Sequence, residues 1–167
     1  MYTTIADFEK DWLQIMGGSA KVMDALTDAS LKQAVGEGYR TLGQLAWHIT
    51  TSISEMANRT GLDLTSVDEK APVPASAKEI ADSYKKASQE LLQQVKTKWS
   101  DNDLKTLVDM YGEKWPNGMT LGILMTHEIH HRGQMTVLMR QAGLKVPGVV
   151  GPAKEDWAAY GMQPPEI

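Results

Sequence analysis

Apolar residues in this chain recur at steps of three and four along four separate segments, each about 20 to 25 residues long. That period places one apolar stripe on each of four helices, and stripes of that kind are buried by packing helix on helix. The first segment, residues 3 to 27, carries Ile5, Phe8, Trp12, Ile15 and Met16, then Val22, Met23 and Leu26. Gly17-Gly18-Ser19 interrupts it and is expected to bend or split the helix. The second opens at Thr41-Leu42-Gly43-Gln44, which has the capping-box form. It continues through Leu45, Ala46, Ile49, Ile53 and Met56 toward Gly61. A further capping box, Ser76 to Glu79, starts the third, through Ile80, Tyr84, Ala87, Leu91, Leu92 and Val95 to Trp99.

Leu104 to Trp115 is ambiguous, with Leu107 to Tyr111 readable as a short extended piece. Pro116-Asn117-Gly118 reads as a turn, and the fourth helix follows from Leu121 to Gln141. Its stripe is Leu121, Leu124, Met125, Glu128, His131, Met135, Leu138 and Met139, with Gly143 as a C-terminal cap. The proline- and glycine-rich tail keeps Trp157 and Tyr160, which are expected to pack back onto the rest. The fold expected is therefore all-α, a four-helix bundle forming one domain over residues 1–167. Connectors of about 14 to 20 residues call for at least one long crossover.

Three of the four histidines lie within the stretch Thr126-His127-Glu128-Ile129-His130-His131-Arg132-Gly133-Gln134. On a helix, His127 and His131 are one turn apart and point the same way. Two imidazoles so placed can share one metal ion, and His48, on the second helix, can supply a third ligand. Three neutral imidazoles with an open position suit zinc, nickel or a similar divalent ion. His130 competes with its neighbours, but His131 lies more squarely on the apolar stripe. Glu128 is a candidate fourth ligand, imidazole partner or proton acceptor, and Arg132 and Gln134 are candidates to orient an anionic substrate or support a ligand. Gly133, in mid-helix, points to close approach by Trp47 or a partner subunit, since glycine there costs about 1 kcal/mol relative to alanine.

His127-Glu128-Ile129-His130-His131 also meets the H-E-x-x-H pattern of zinc peptidases. Against that reading, no third ligand follows downstream, and a compact bundle offers no cleft for an extended peptide. Phosphate-cradling loops, nucleophile elbows and dinucleotide fingerprints are missing from the sequence. A formal net charge of -4 argues against a nucleic-acid partner. No apolar run reaches the roughly 20 residues that span a bilayer. The absence of cysteine suits a reducing compartment, and the acidic, amphipathic N-terminus is unlike a signal peptide, so a cytoplasmic location is the expectation.

At these residues the chain resembles the DinB-like family of metal-binding four-helix bundles, which includes bacillithiol transferases and mycothiol-dependent maleylpyruvate isomerases. His127 to Gln134 matches that family's recurring H-x-x-x-H-R-G-Q, and Leu42 to Ile49 matches its helix-two L-x-H-I pattern. The resemblance implies a His48, His127, His131 triad around a divalent metal, an up-down-down-up helix order and a homodimer. The expected function is a metal-dependent transferase that activates a low-molecular-weight thiol for attack on an electrophilic small molecule. The alternatives are a hydrolase using metal-activated water and a non-enzymatic metal-binding module of a stress response.

Overall fold

The structure, a computed structural model, describes residues 1–166. Four helices dominate it: α1 (Ile5–Asp24), α2 (Leu42–Asn58), α3 (Ala77–Lys98) and α4 (Asn117–Gln141). Between α3 and α4 lies an antiparallel hairpin of β1 (Leu107–Met110) and β2 (Glu113–Pro116), in register Leu107 with Pro116 and Met110 with Glu113. The ambiguous stretch thus resolves as two strands. Short 3-10 turns cover Asp28–Lys32, Asp103–Lys105 and Lys154–Tyr160.

Side-chain caps fix the starts of α1, α2 and α3. Thr41 accepts from the Gln44 amide at 3.2 Å while Gln44 Oε1 accepts from the Thr41 amide at 2.8 Å, completing the capping box. At Ser76 only one half of the expected box forms, the Glu79 amide donating to the Ser76 hydroxyl. The predicted turn at Pro116-Asn117-Gly118 is instead the first turn of α4. Pro116 is its N-cap residue in extended backbone, and Asn117 Nδ2 donates to the Asp103 carbonyl at 3.1 Å. Proline is well tolerated at such a position because its missing N–H has no intrahelical partner there.

The long stripes pack into one core around Phe8, Trp12, Ile53, Ile80, Tyr84 and Leu91. Helix α1 packs on α3 and α4, and α2 packs on α3 and α4, so sequence-consecutive α1 and α2 sit diagonally. Directions follow from the contacts. The Tyr2 amide donates to the Gly118 carbonyl at 3.0 Å, bringing the N-terminal ends of α1 and α4 together. Lys96–Glu9 and Lys85–Asp24 ion pairs run α3 against α1. Glu90 and Gln94 of α3 hold the backbone just after α2, so α2 and α3 run the same way. This is the up-down-down-up order, with residues 59–76 as the long crossover.

The expected break at Gly17-Gly18-Ser19 does not occur: α1 is continuous. Gly18 has a packing reason, since a Cβ there would sit 2.5 Å from Val149 Cγ1 and 3.2 Å from Arg132 Nη1. The tail is held where Val149 meets this glycine, where Val146 is buried, and by the Arg140–Glu155 ion pair. Trp157 is half-buried, but Tyr160 is exposed and takes no part in the packing expected of it.

Candidate metal centre

Helix α2 buries Leu42, Leu45, Ala46, Ile49, Ile53 and Met56, which places His48 at the edge of the stripe, half-buried. Helix α4 buries Leu124, Met125, Glu128, Arg132, Met135, Leu138 and Met139, which turns His127 and His131 to the matching edge. The two helices run antiparallel and adjacent, so the edges meet. His48 Nε2 lies 3.0 Å from His127 Nε2. Ring centroids are 4.8 Å apart for His48–His127 and for His48–His131, and 4.4 Å for His127–His131. One ligand-capable atom from each of the three lies within 4.8 Å of the others.

The electrostatics keep these rings neutral. Burial lowers His48 from its ordinary value to about 4, helped by the positive charge of Arg40 and the other imidazoles and opposed by Glu55. Burial likewise takes His127 down to about 4, with His131, His130 and Arg40 acting the same way. His131 is also lowered by burial, partly offset by Gln134. Neutral imidazoles carry the lone pair that a metal needs.

The tautomer of His131 agrees with that use. His131 Nδ1 donates to Gln134 Oε1 at 2.7 Å, which leaves Nε2 as the free acceptor. Gln134, three residues on along the exposed edge of α4, is therefore an imidazole partner. His127 Nδ1 is buried without a partner. Two nitrogens each about 2.0–2.1 Å from one tetrahedral ion lie roughly 3.3 Å apart, close to the His48–His127 separation. The donor set and its geometry fit a divalent cation of the zinc or nickel type.

Of the other residues singled out, His130 is exposed, its ring 4.9 Å from that of His131 but outside the three. Glu128 and Arg132 do not face the cluster. Each follows a histidine by one position, which rotates it about 100° around α4 and into the core. Glu128, 1 % exposed, accepts from the Tyr84 hydroxyl at 2.6 Å. Burial raises its carboxyl above the usual range, and the Ser19 and Tyr84 hydroxyls and the Arg132 charge oppose the rise. Arg132 Nη1 donates to the Ile15 carbonyl at 3.2 Å and to Ser19 Oγ at 3.1 Å. Together these residues clamp α4 to α1 and α3 and set the rotation at which His127 and His131 are presented. The apolar stripe of α3 marks Tyr84 as an ordinary core residue and carries no sign of its polar partner.

Gly133 meets nothing within 4 Å of where a Cβ would stand, and Trp47 is engaged elsewhere, donating to the Ala71 carbonyl at 2.9 Å. Within the chain, neither Trp47 nor any other residue makes the close approach expected at that glycine.

Two clefts flank the histidines. One of about 410 Å³ is lined by Val35, Tyr39, Arg40, Leu45, His131, Gln134, Val137 and Leu138. The other, about 300 Å³ on the His48 side, is lined by Thr51, Ser52, Glu55, Glu69 and Lys70. Among the described residues no helix is long and apolar enough to cross a membrane.

Comparison with known proteins agrees with this architecture. Residues 1–166 match the sequence profile described as the DinB family. An uncharacterized Bacillus subtilis protein, YrdA, is 45 % identical over 167 residues, covering all of both chains. A crystal structure of a DinB-like protein from Bacillus cereus superposes with a TM-score of 0.85 at 46 % identity, covering 89 % of this chain and 99 % of that one. A second DinB-like protein, YjoA of B. subtilis, superposes at 0.68 with 17 % identity, covering 86 % and 97 %, a likeness of fold alone.

Proposed function

The chain belongs to the DinB family, and on that premise we propose that His48, His127 and His131 bind one divalent cation in a thiol transferase. The observation that carries the reading is the convergence of three neutral imidazoles from two helices, with clefts on either side. A divalent ion held by three imidazoles supplies an acidic position at which a thiol or a water ionises near neutral pH. The chain carries no cysteine of its own, so the thiol is a small co-substrate.

The residues do the rest. Gln134 fixes the ring orientation of His131 through Nδ1. Glu128, Tyr84 and Arg132 hold α4 in the rotation that presents both of its histidines. In the transfer, sulfur forms a bond to carbon of the electrophile, the leaving group departs with the electron pair, and the thiol proton goes to solvent. The flanking clefts leave room for two reactants, which supports transfer over a closed, non-catalytic metal shell.

The test is turnover of metal-loaded protein with bacillithiol or glutathione and monochlorobimane, beside the His48→Ala variant. The expected result is conjugation above the uncatalysed background, lost in the variant. Ester or amide hydrolysis without any thiol would replace this reading by a hydrolase. No turnover with any thiol would refute transfer.

A further inference from the structure

The larger cleft has a character of its own. One wall is the loop of residues 35–40, whose neck is closed by the Ala34–Thr41 bridge and by the Leu42 amide donating to the Gln33 carbonyl at 2.7 Å. The opposite wall is the C-terminal half of α4, with Val137 and Leu138, and Leu45 of α2 also lines it. Gln33 Nε2 reaches Gln141 Oε1 at 3.4 Å, tying the neck of the loop to α4. Val35, Tyr39 and Val137 remain 64 %, 68 % and 57 % exposed, so apolar surface stands open to a ligand.

Within this wall stands a single cationic side chain, Arg40. It enters none of the ion pairs among the described residues, whereas Arg59 and Arg140 each have a carboxylate partner. The chain as a whole is acidic, at a formal net charge of -4, so no general positive field draws anions to this face. The cleft on the His48 side has the opposite character, with Glu55, Glu69 and Lys70 mixing charges among hydroxyls. A volume of about 410 Å³ falls in the range of small-molecule sites.

We propose that the cleft between loop 35–40 and α4 receives a small molecule with an apolar body and one carboxylate, the carboxylate paired with Arg40. The body lies along Tyr39, Leu45, Val137 and Leu138, and its near end meets the His131 edge of the histidine cluster. An arginine offers a carboxylate two parallel donors, which fixes orientation as well as charge. In the transferase reading this molecule is the electrophile; that role rests on the reading, whereas the binding itself does not.

The test is calorimetry of 4-phenylbutyrate, 4-phenylbutan-1-ol and 4-phenylbutylamine with zinc-loaded protein and again after chelation. The carboxylate is expected to bind best in both states. Arg40→Gln should weaken the carboxylate about tenfold, the size of one charge-assisted contact at a partly wet site, and leave the alcohol unchanged. Val137→Asp, placing a like charge in the opposite wall, should weaken it as well. Equal affinity for the three probes overturns the proposal, as does an Arg40→Gln variant that binds the carboxylate like the wild type. Carboxylate binding that vanishes on chelation places the anion at the cation and overturns it too. A Val137→Asp change that alters only the oligomeric state makes the cleft an interface between copies and likewise overturns the proposal. Failure of the metal reading has a different signature: no zinc bound, while the Arg40-dependent preference persists.

Discussion

Tyr84→Phe isolates the clamp behind the histidines. The substitution keeps the ring, which is fully buried, and removes only the hydroxyl that donates to Glu128 Oε1 at 2.6 Å. Glu128 Oε2 already has no hydrogen-bond partner, so the variant strips the donor from Oε1 and leaves the buried carboxyl only the nearby Ser19 hydroxyl and the Arg132 charge. Leaving a buried polar group unsatisfied costs about 1–3 kcal/mol, more for a charged one, so a loss of about 3 kcal/mol is expected. For a chain of this size that lowers the midpoint of thermal unfolding by roughly 6–12 °C. The loss should be larger at pH 8 than at pH 5. Burial holds the Glu128 carboxyl above its unfolded value, so its ionisation costs the folded state stability as pH rises. Removing the Tyr84 donor withdraws support from that ionised form. Replacing both groups, as Tyr84→Phe with Glu128→Leu, should recover much of the loss, because no acceptor is then stranded. Urea unfolding of metal-free protein at the two pH values measures all of this. A Tyr84→Phe cost below about 0.5 kcal/mol, or a double variant no more stable than the single one, would refute the reasoning.

Other outcomes follow from the same geometry. Metal-free protein should lose stability as pH falls from about 6.5 toward 4, because unfolded histidines take up protons that His48 and His127, both lowered to about 4, refuse when folded; a flat stability profile over that window in chemical denaturation contradicts the burial of the rings. Gln134→Ala should weaken metal affinity by roughly 10–100-fold without unfolding the bundle, read by calorimetry, since it frees the His131 ring to rotate. Gly17→Ala and Gly133→Ala meet nothing within 4 Å and should stabilise by up to about 1 kcal/mol, whereas Gly18→Ala, facing Val149, should destabilise by about 1–3 kcal/mol. Thermal melts of the three variants decide between free space and close packing.

The helices are legible in the sequence because their stripes are long: Phe8, Trp12, Ile53, Ile80 and Leu91 all belong to the core that their spacing implies. The grouping of His48 with His127 and His131 is legible for the same reason, since both helix periods put those rings near a buried edge. Glu128 and Arg132 sit beside the histidines in sequence, which marks them as site candidates, yet the structure turns both into the core. Their burial depends on Tyr84, Ser19 and the Ile15 carbonyl, none of them near in sequence. The hairpin is obscure because four-residue strands are too short to establish a period of two, and its turn places Tyr111 at a φ of 58°, a position glycine usually takes. At Pro116-Asn117-Gly118, turn chemistry and a helix N-terminus share the same residues. Contacts distant in sequence separate the two: the Asn117 side chain bonds the Asp103 carbonyl, and the Tyr2 amide donates to the Gly118 carbonyl.

The proposed metal centre is three imidazoles around one cation. Elemental analysis of protein purified without a histidine tag, with calorimetric titration of zinc and nickel, tests it most directly. One divalent ion per chain is expected, lost in each of His48→Ala, His127→Ala and His131→Ala and retained in His130→Ala. A chain that binds no divalent ion, or a His48→Ala variant that holds one as tightly as the parent, would contradict it.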